Sequence, residues 1–198
     1  MTKRKNEKDQ RHHHRGKSSE SILNKSQILA SLSITAGQVI FDAGCGNGYM
    51  AKEFAKLTGE AGTVYALDPD DISIDILKSE TVGTNLEPFV GDISEETKLA
   101  AYSIDLIYLS TVIHGFSETQ MEGFLKETKR LLKPNGRLAI VEIKKVDTPF
   151  GPPLDIRFSP EELRQRIDLH PTQLIDVGEY TYMQMFENKK PQGSCLHS

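Results

Sequence analysis

The sequence contains no tryptophan, only two cysteines, and no apolar run near the roughly 18 residues that a transmembrane helix needs. Cys45 and Cys195 are too few for a disulfide framework, and their spacing is not that of metal ligands. The N-terminus is basic and polar with no apolar stretch behind it, so we expect no secretory signal. These absences indicate a cytoplasmic protein with no membrane insertion and no metal site.

The remaining composition is that of an ordinary globular domain, with 198 residues, 37% of them hydrophobic and 26% charged. This length suits one domain, or one domain with an extension. The charge is uneven, because residues 1–17 carry seven basic and two acidic residues while the other 181 carry a net −9. We therefore expect a basic arm over residues 1–17, flexible or serving as a lid, and a folded domain over residues 18–198.

Short apolar segments alternate with amphipathic segments along most of the chain. The apolar segments predict five strands, over residues 39–41, 64–67, 88–92, 104–109 and 137–143. Helices between such strands indicate βαβ units and a parallel sheet. Two further strands, over residues 172–177 and 180–186, have no helix between them and should pair as an antiparallel hairpin. The fold class is therefore α/β, a doubly wound sheet of seven strands that is mostly parallel.

Local patterns add expectations about single elements. Ser117 and Ser159 each open a helix with a capping pattern, and serines are also available to cap an apolar stripe over residues 22–32. A third helix should hold Ile72, Ile76 and Leu77. The Lys-Pro-Asn-Gly segment over residues 133–136 should end one helix and separate it from the fifth strand.

A glycine-rich loop, residues 42–48, lies between the first predicted strand and a helix. Glycines permit a tight turn and let the backbone approach a ligand closely. A dinucleotide loop would have its third glycine where Tyr49 stands, and a phosphate loop would continue with Gly-Lys-Ser/Thr, which is absent. Asp42 would repel a pyrophosphate but suits a cationic ligand with amine donors. The loop therefore disfavours an NAD-dependent oxidoreductase, which stays the weaker alternative.

The motifs and their order resemble those of the class I S-adenosylmethionine (SAM)-dependent methyltransferases. The resemblance extends over about residues 34–187 and rests on five motifs: the loop 42–48, Asp68 at the end of strand two, Gly91-Asp92-Ile93, residues 105–110, and residues 131–136. It implies a Rossmann-like sheet and SAM as the cofactor. It also implies a small-molecule methyltransferase similar to the ubiquinone/menaquinone-biosynthesis group.

The resemblance further implies the roles of the loop residues. Asp42 would contact the amino group of SAM. The loop backbone would pack against the methionine part of the cofactor, and its residues are Ala43, Gly44, Gly46, Asn47 and Gly48. Capping of the following helix is the alternative role for Asp42.

The other strand ends would bind the rest of the cofactor. Asp68, followed by Pro69, would accept the two ribose hydroxyls. Asp92 would accept from the adenine amine while Ile93 packs on the ring, and Ser110 would lie near the methionine end. Purely structural roles stay open as alternatives: Asp68 as a turn former, Asp92 as a strand-end cap and Ser110 as a structural hydroxyl.

His114, four residues after Ser110, is the candidate general base, with ordering of the loop before Ser117 as the alternative. The implied partner is a small-molecule methyl acceptor, and residues 144–153 are either an acceptor-side loop or a linker. A nucleic-acid or protein methyltransferase docking through the basic arm is the competing function. The net −9 of the body disfavours a polyanion near the cleft. The sequence does not indicate an oligomeric state.

Overall fold

The computed structural model describes residues 19–189, so the arm predicted over residues 1–17 lies outside the described residues. The strands are β1 (Val39–Ala43), β2 (Thr63–Asp68), β3 (Leu86–Val90), β4 (Ile104–Ser110), β5 (Leu132–Ile143), β6 (His170–Asp176) and β7 (Thr181–Glu187). The helices are α1 (Lys25–Leu32), α2 (Tyr49–Thr58), α3 (Asp71–Glu80), α4 (Glu118–Leu131) and α5 (Pro160–Arg166). Short 3-10 turns span Ser19–Ile22, Ile113–Gly115 and Leu154–Ile156.

The seven strands form one sheet in the order β3-β2-β1-β4-β5-β7-β6. Strands β1 to β5 pair in parallel, whereas β7 is antiparallel to both β5 and β6. The predicted mostly parallel α/β sheet with its C-terminal hairpin is confirmed. The strand order reverses between β1 and β4, and the carboxyl ends of strands at such a switch point form a crevice for ligands.

Helices cover both faces of the sheet, which explains why the central strands carry apolar residues on both of their faces. In β4, Leu106 and Tyr108 face one core, which contains Phe54 of α2. Ile107 and Leu109 face the other core, which contains α4 and α5 residues. Within residues 19–189, none of the helices combines the length and the apolar composition needed to cross a bilayer.

The predicted capping boxes at Ser117 and Ser159 are both present. The start of α1 differs, because the Asn24 side chain rather than a serine accepts a hydrogen bond from the Gln27 N–H, at 3.1 Å.

Helix α3 contains the predicted Ile72, Ile76 and Leu77, but they differ in burial. Leu77 is fully buried together with Ile74, whereas Ile72 and Ile76 are 62% and 54% exposed. Helix α3 packs beside β2 and β3 at the edge of the sheet. Only a narrow strip of the helix therefore reaches the core.

The start of β5 is the third difference. The segment 133–136 does not separate helix from strand, because β5 begins at Leu132, directly after α4. Asn135 adopts a left-handed φ of 64°, and the pairing of β4 with β5 is irregular at this point. The Asn135 N–H donates to the Asn188 carbonyl at 2.9 Å, so the chain after β7 supports this bulged segment.

Gly123 of α4 should resist substitution even though alanine is the better helix former. A Cβ at this position would overlap the Ser94 carbonyl oxygen in the turn that follows β3. We expect Gly123→Ala to lower the free energy of unfolding by about 1–3 kcal/mol, as overpacking does, where helix propensity alone would raise it by about 1 kcal/mol. Urea denaturation measures this change. Glu122→Ala, at an exposed position of the same helix, is the control and should leave the stability nearly unchanged. A more stable Gly123→Ala variant would contradict the packing.

Candidate functional site

The residues predicted to form the site come together at one edge of the sheet, where the parallel strands end. Asp42 lies near the end of β1, Asp68 ends β2, and Ser110 ends β4. Asp92 lies two residues after the end of β3. Parallel strands of neighbouring βαβ units place their carboxyl ends at the same edge, so motifs far apart in sequence converge here.

The glycine loop is fastened to the end of β2. The Gly44 and Cys45 N–H groups both donate to the Leu67 carbonyl, at 2.7 and 2.9 Å. The Gly46 N–H donates to Oδ2 of Asp68 at 2.8 Å. These three bonds hold residues 44–46 in a tight turn.

Two glycines of the loop meet different surroundings. Gly44 has a φ of 85°, and a Cβ there would lie 2.7 Å from a methyl carbon of Val112. Gly46, at a φ of 53°, has no atom of the described residues within 4 Å of such a Cβ. Gly44 thus permits close contact with the segment after β4, while Gly46 presents open backbone to a ligand.

Gly48 and Asn47 complete the turn into α2. Gly48 is the N-cap of this helix with a φ of 76°. The exposed Asn47 donates through its amide nitrogen to a Glu20 carboxylate oxygen at 3.0 Å. The 3-10 turn Ser19–Ile22 therefore contacts the loop from the N-terminal side.

Asp68 holds two backbone groups with its carboxylate. Its Oδ2 accepts from Gly46, and its Oδ1 accepts from the Asp70 N–H at 2.9 Å. Each carboxylate oxygen can accept two hydrogen bonds, so each keeps capacity for another donor. Asp68 is thus the turn former that the sequence allowed, and it also retains acceptors for a diol. The neighbouring Pro69 is exposed at the same edge.

Asp42 is a buried carboxylate, only 2% exposed, and its Oδ2 has no hydrogen-bond partner within residues 19–189. Burial, and secondarily the negative charge of Asp68, raise the pKa of Asp42 to about 8. The neighbouring β4 contributes two more buried oxygens without partners among the described residues, the hydroxyls of Tyr108 and Ser110. Buried polar atoms are normally hydrogen-bonded. This cluster can therefore accept a cationic, hydrogen-bond-donating group.

Asp92 and Ile93 lie after β3. Asp92 Oδ1 accepts from the Ser94 N–H at 2.8 Å and from the Ser94 hydroxyl at 2.7 Å. Ile93 is 3% exposed and belongs to the same core cluster as Phe41 and Leu67. Contact of these two residues with an adenine ring stays a prediction.

His114 follows β4 in the 3-10 turn Ile113–Gly115. The chain leaves β4 through Thr111, a non-glycine residue with a left-handed φ of 55°. The Thr111 N–H donates to the Val141 carbonyl at 2.8 Å, which holds this turn against β5. His114 Nδ1 then lies 2.9 Å from Oε2 of Glu142, a fully buried acid near the end of β5.

Sequence reasoning missed Glu142. The available signal was one acidic residue within the otherwise apolar segment 138–143. Carboxylates are rarely fully buried without a partner, so an acid in a predicted core strand indicates a partner elsewhere in the fold.

A cleft of about 380 Å³ is lined by His114 but not by Glu142. Its charged lining residues are balanced between three cations and three anions: Lys145, Arg157, Arg166, Glu118, Asp155 and Glu162. Phe116, Ile156 and Phe158 add apolar surface. Lys145 comes from the segment 144–153 that was expected to be an acceptor-side loop or a linker, and this residue lines the cleft.

Ion pairs and one buried arginine shape this cleft. Lys145 and Glu162 pair at 2.6 Å. Arg166 pairs with both carboxylate oxygens of Glu118, at 2.5 and 2.6 Å. Arg157 donates to the backbone carbonyls around the segment 144–153, which are those of Lys144, Val146, Phe150 and Pro152. Within residues 19–189, no group of three or more His, Cys, Asp or Glu side chains is arranged to hold a metal ion.

A sheet of this strand order, with a glycine loop after β1 and an acid ending β2, is the architecture of a SAM-dependent methyltransferase. Residues 40–136 match a family described as a methyltransferase domain. A SAM-dependent methyltransferase structure from Aquifex aeolicus aligns with a TM-score of 0.76 at 25% identity, covering 86% of this chain and 92% of that one.

Curated relatives agree with this class. The chain is 26% identical over 157 residues to an uncharacterized methyltransferase of Synechocystis, covering 77% of this chain and 71% of that protein. It is 27% identical over 134 residues to the ubiquinone/menaquinone biosynthesis C-methyltransferase of Paraburkholderia phymatum, covering 67% of this chain and 54% of that protein. The chain thus spans about half the length of several relatives it matches. These matches place it among the class I SAM-dependent methyltransferases, whose cofactor is SAM, as the resemblance implied.

The pH dependence of stability tests the burial of Asp42. An aspartate in the unfolded chain has a pKa of about 4, so between about pH 4 and 8 the folded protein retains a proton there that the unfolded chain has released. The stability of the wild type should therefore fall with rising pH relative to that of Asp42→Asn. The gap, which is the change in the free energy of unfolding of the wild type relative to that of Asp42→Asn, should exceed about 2 kcal/mol at pH 8 and level off at higher pH.

Denaturation at a series of pH values measures this gap. Asp75→Asn, which removes an exposed carboxylate from α3, is the matched control and should follow the wild type. Parallel pH curves for Asp42→Asn and the wild type would contradict the raised pKa.

Proposed function

We propose that this protein transfers the methyl group of SAM to a small hydrophilic acceptor bound in the cleft beside His114. One observation carries the proposal. The segment after β4 touches the glycine loop through Val112 and, two residues later, lines the cleft with His114. A cofactor held by the loop and an acceptor held in the cleft would therefore meet at the end of β4.

Oδ2 of Asp42, which has no hydrogen-bond partner in the described part of the chain, supports the cofactor half of the proposal. SAM carries an ammonium group and a sulfonium, and a buried carboxylate with a free acceptor is complementary to such a cation. The backbone of Ala43, Gly44, Gly46, Asn47 and Gly48 would pack against the methionine part. Ser110 would accept from or donate to that end of the cofactor.

The strand ends further along the edge support the nucleoside half. Both oxygens of Asp68 retain capacity for the ribose hydroxyls after binding the loop. Pro69 is exposed beside them. Asp92 has its Oδ1 engaged by Ser94, and its other oxygen would accept from the adenine amine next to Ile93.

When bound, SAM supplies an activated methyl group, so the protein has little covalent chemistry to perform. Its residues align the acceptor, exclude water and take up the proton that the acceptor releases. We assign the last task to His114. The side chain lines the cleft and is 11% exposed, so it can reach a bound acceptor while most of its ring is fixed by packing.

The lining of the cleft supports a hydrophilic acceptor. Relatives are named for ubiquinone and menaquinone biosynthesis, and a long apolar side chain would need an apolar channel. The cleft instead carries six charged residues, and its volume of about 380 Å³ is at the small end of ligand sites. Phe116 and Phe158 provide faces on which a small ring could stack.

Cofactor binding can be tested without knowing the acceptor. SAM and its demethylated product should raise the melting temperature, and NAD should not. Titration calorimetry should show that Asp42→Asn binds SAM at least about ten-fold more weakly, a loss of about 1.4 kcal/mol. Asp75→Asn serves again as the control and should bind like the wild type. Equal SAM affinity in Asp42→Asn would contradict the assignment of the ammonium site.

The acceptor class can be tested with methyl-labelled SAM. We expect label to enter small hydroxylated aromatic acids and small amines, and we expect little transfer to a hydroquinone that carries a ten-carbon chain. Mass spectrometry of the products locates the methyl group. Transfer confined to the long-chain hydroquinone would overturn the hydrophilic acceptor while leaving the methyltransferase activity itself established.

A further inference from the structure

Glu142 is an acid placed where the fold would otherwise put an apolar residue. It lies between Val141 and Ile143 in β5 and is fully buried, opposite Tyr182 of β7. Taking a carboxylate out of water is costly unless it is paired or hydrogen-bonded. We therefore expect the Glu142 carboxylate to have a charged or hydrogen-bonding partner.

The partner is the imidazole of His114. Glu142 Oε2 lies 2.9 Å from His114 Nδ1 and also accepts from the Ile143 N–H at 3.3 Å. Oε1 has no partner in the part of the chain that the structure describes. The imidazole is thus the only side chain of the described residues that hydrogen-bonds to this carboxylate.

The neighbouring polar groups are engaged elsewhere. The Tyr182 hydroxyl donates to the Phe158 carbonyl at 2.7 Å. Arg157 binds backbone carbonyls, and Lys145 pairs with Glu162. None of these groups hydrogen-bonds to Glu142, so His114 is the one side chain among the described residues that the carboxylate binds.

The two ring nitrogens of His114 have different surroundings. Nδ1 faces Glu142, which does not line the cleft, while the histidine itself does. Nδ1 has a hydrogen-bond partner, whereas Nε2 has none among residues 19–189. Nε2 is not one of the buried atoms that lack a partner among residues 19–189, so solvent or an acceptor can reach it.

We propose that Glu142 is a positioning residue that fixes the tautomer of His114. The carboxylate accepts the Nδ1–H, so the neutral ring keeps an unprotonated Nε2 directed to the acceptor cleft. This inference rests on the proposed function and deepens it, because it selects acceptors whose nucleophilic atom bears a removable proton, as a hydroxyl does.

In the proposed methyl transfer, the acceptor O–H bond breaks, and its proton passes to Nε2 of His114. The oxygen lone pair forms the new O–C bond as the S–C bond breaks, with the S–C electron pair staying on sulfur. The resulting imidazolium is stabilised by the buried Glu142 carboxylate and later returns its proton to water.

Nitrogen-15 NMR of histidine-labelled full-length protein tests the tautomer directly and needs no acceptor. In the neutral wild-type ring, Nδ1 of His114 should be the protonated nitrogen, identified by loss of the signal in His114→Asn. In Glu142→Leu we expect Nε2 to become the protonated nitrogen, because the acceptor at Nδ1 is gone. In Glu142→Gln, which keeps an amide oxygen, the Nδ1–H form should persist. The exposed His170 is the internal control and should not change.

Kinetics then separate positioning from general structural support. For an acceptor that the wild type methylates, Glu142→Leu should lower kcat by at least about ten-fold, and Glu142→Gln should lower it less because it keeps the Nδ1–H tautomer, while SAM affinity stays within about two-fold in both variants. An unchanged tautomer in Glu142→Leu, or an unchanged kcat, would overturn the proposal. Failure of the wild type to bind SAM or to transfer a methyl group would instead contradict the proposed function, and the tautomer measurement would still decide the role of Glu142.

Discussion

A carboxylate that is buried without a cationic partner among residues 19–189 is the constraint on which the rest of the site depends. Asp42 lies near the end of β1, between the glycine loop and β4, and burial raises its pKa to about 8. Asp42 lies beside the point where the strand order reverses between β1 and β4, and sheets of this kind bind ligands at the carboxyl edge of such a point. The glycine loop and the acid at the end of β2 lie at this edge. So do the hydroxyls of Tyr108 and Ser110, which have no hydrogen-bond partner within residues 19–189.

The same edge connects the cofactor site with the acceptor side. Val112 occupies the space that a Cβ of Gly44 would need, and the left-handed Thr111 turns the chain from β4 toward His114. A side chain at position 44 would therefore displace the segment that carries the proposed base. In the proposed arrangement, Gly44 would serve two purposes: it would let the backbone approach the cofactor, and it would let Val112 pack against the loop.

Most of the fold was predictable because its signals are local. Alternating strand and helix patterns, the capping boxes at Ser117 and Ser159, and the glycine loop each depend on residues close in sequence. The exposure of Ile72 and Ile76 was not predictable, because it depends on how α3 lies at the sheet edge. The early start of β5 likewise depends on support from Asn188, which is distant in sequence.

The site residues divide in the same way, into those predicted by local motifs and those that depend on contacts between distant segments. The positions of Asp42, Asp68 and Ser110 followed from the order of the motifs, whereas Glu142 acquires its partner only when β4 and β5 pair.

The most direct test of the central claim is the number of protons released when SAM binds at pH 7, measured by calorimetry in buffers of different ionisation enthalpy. If the ammonium of SAM binds an ionised Asp42 whose pKa is about 8 in the free protein, close to one proton should be released, and none in Asp42→Asn. Binding without proton release in the wild type would contradict the account.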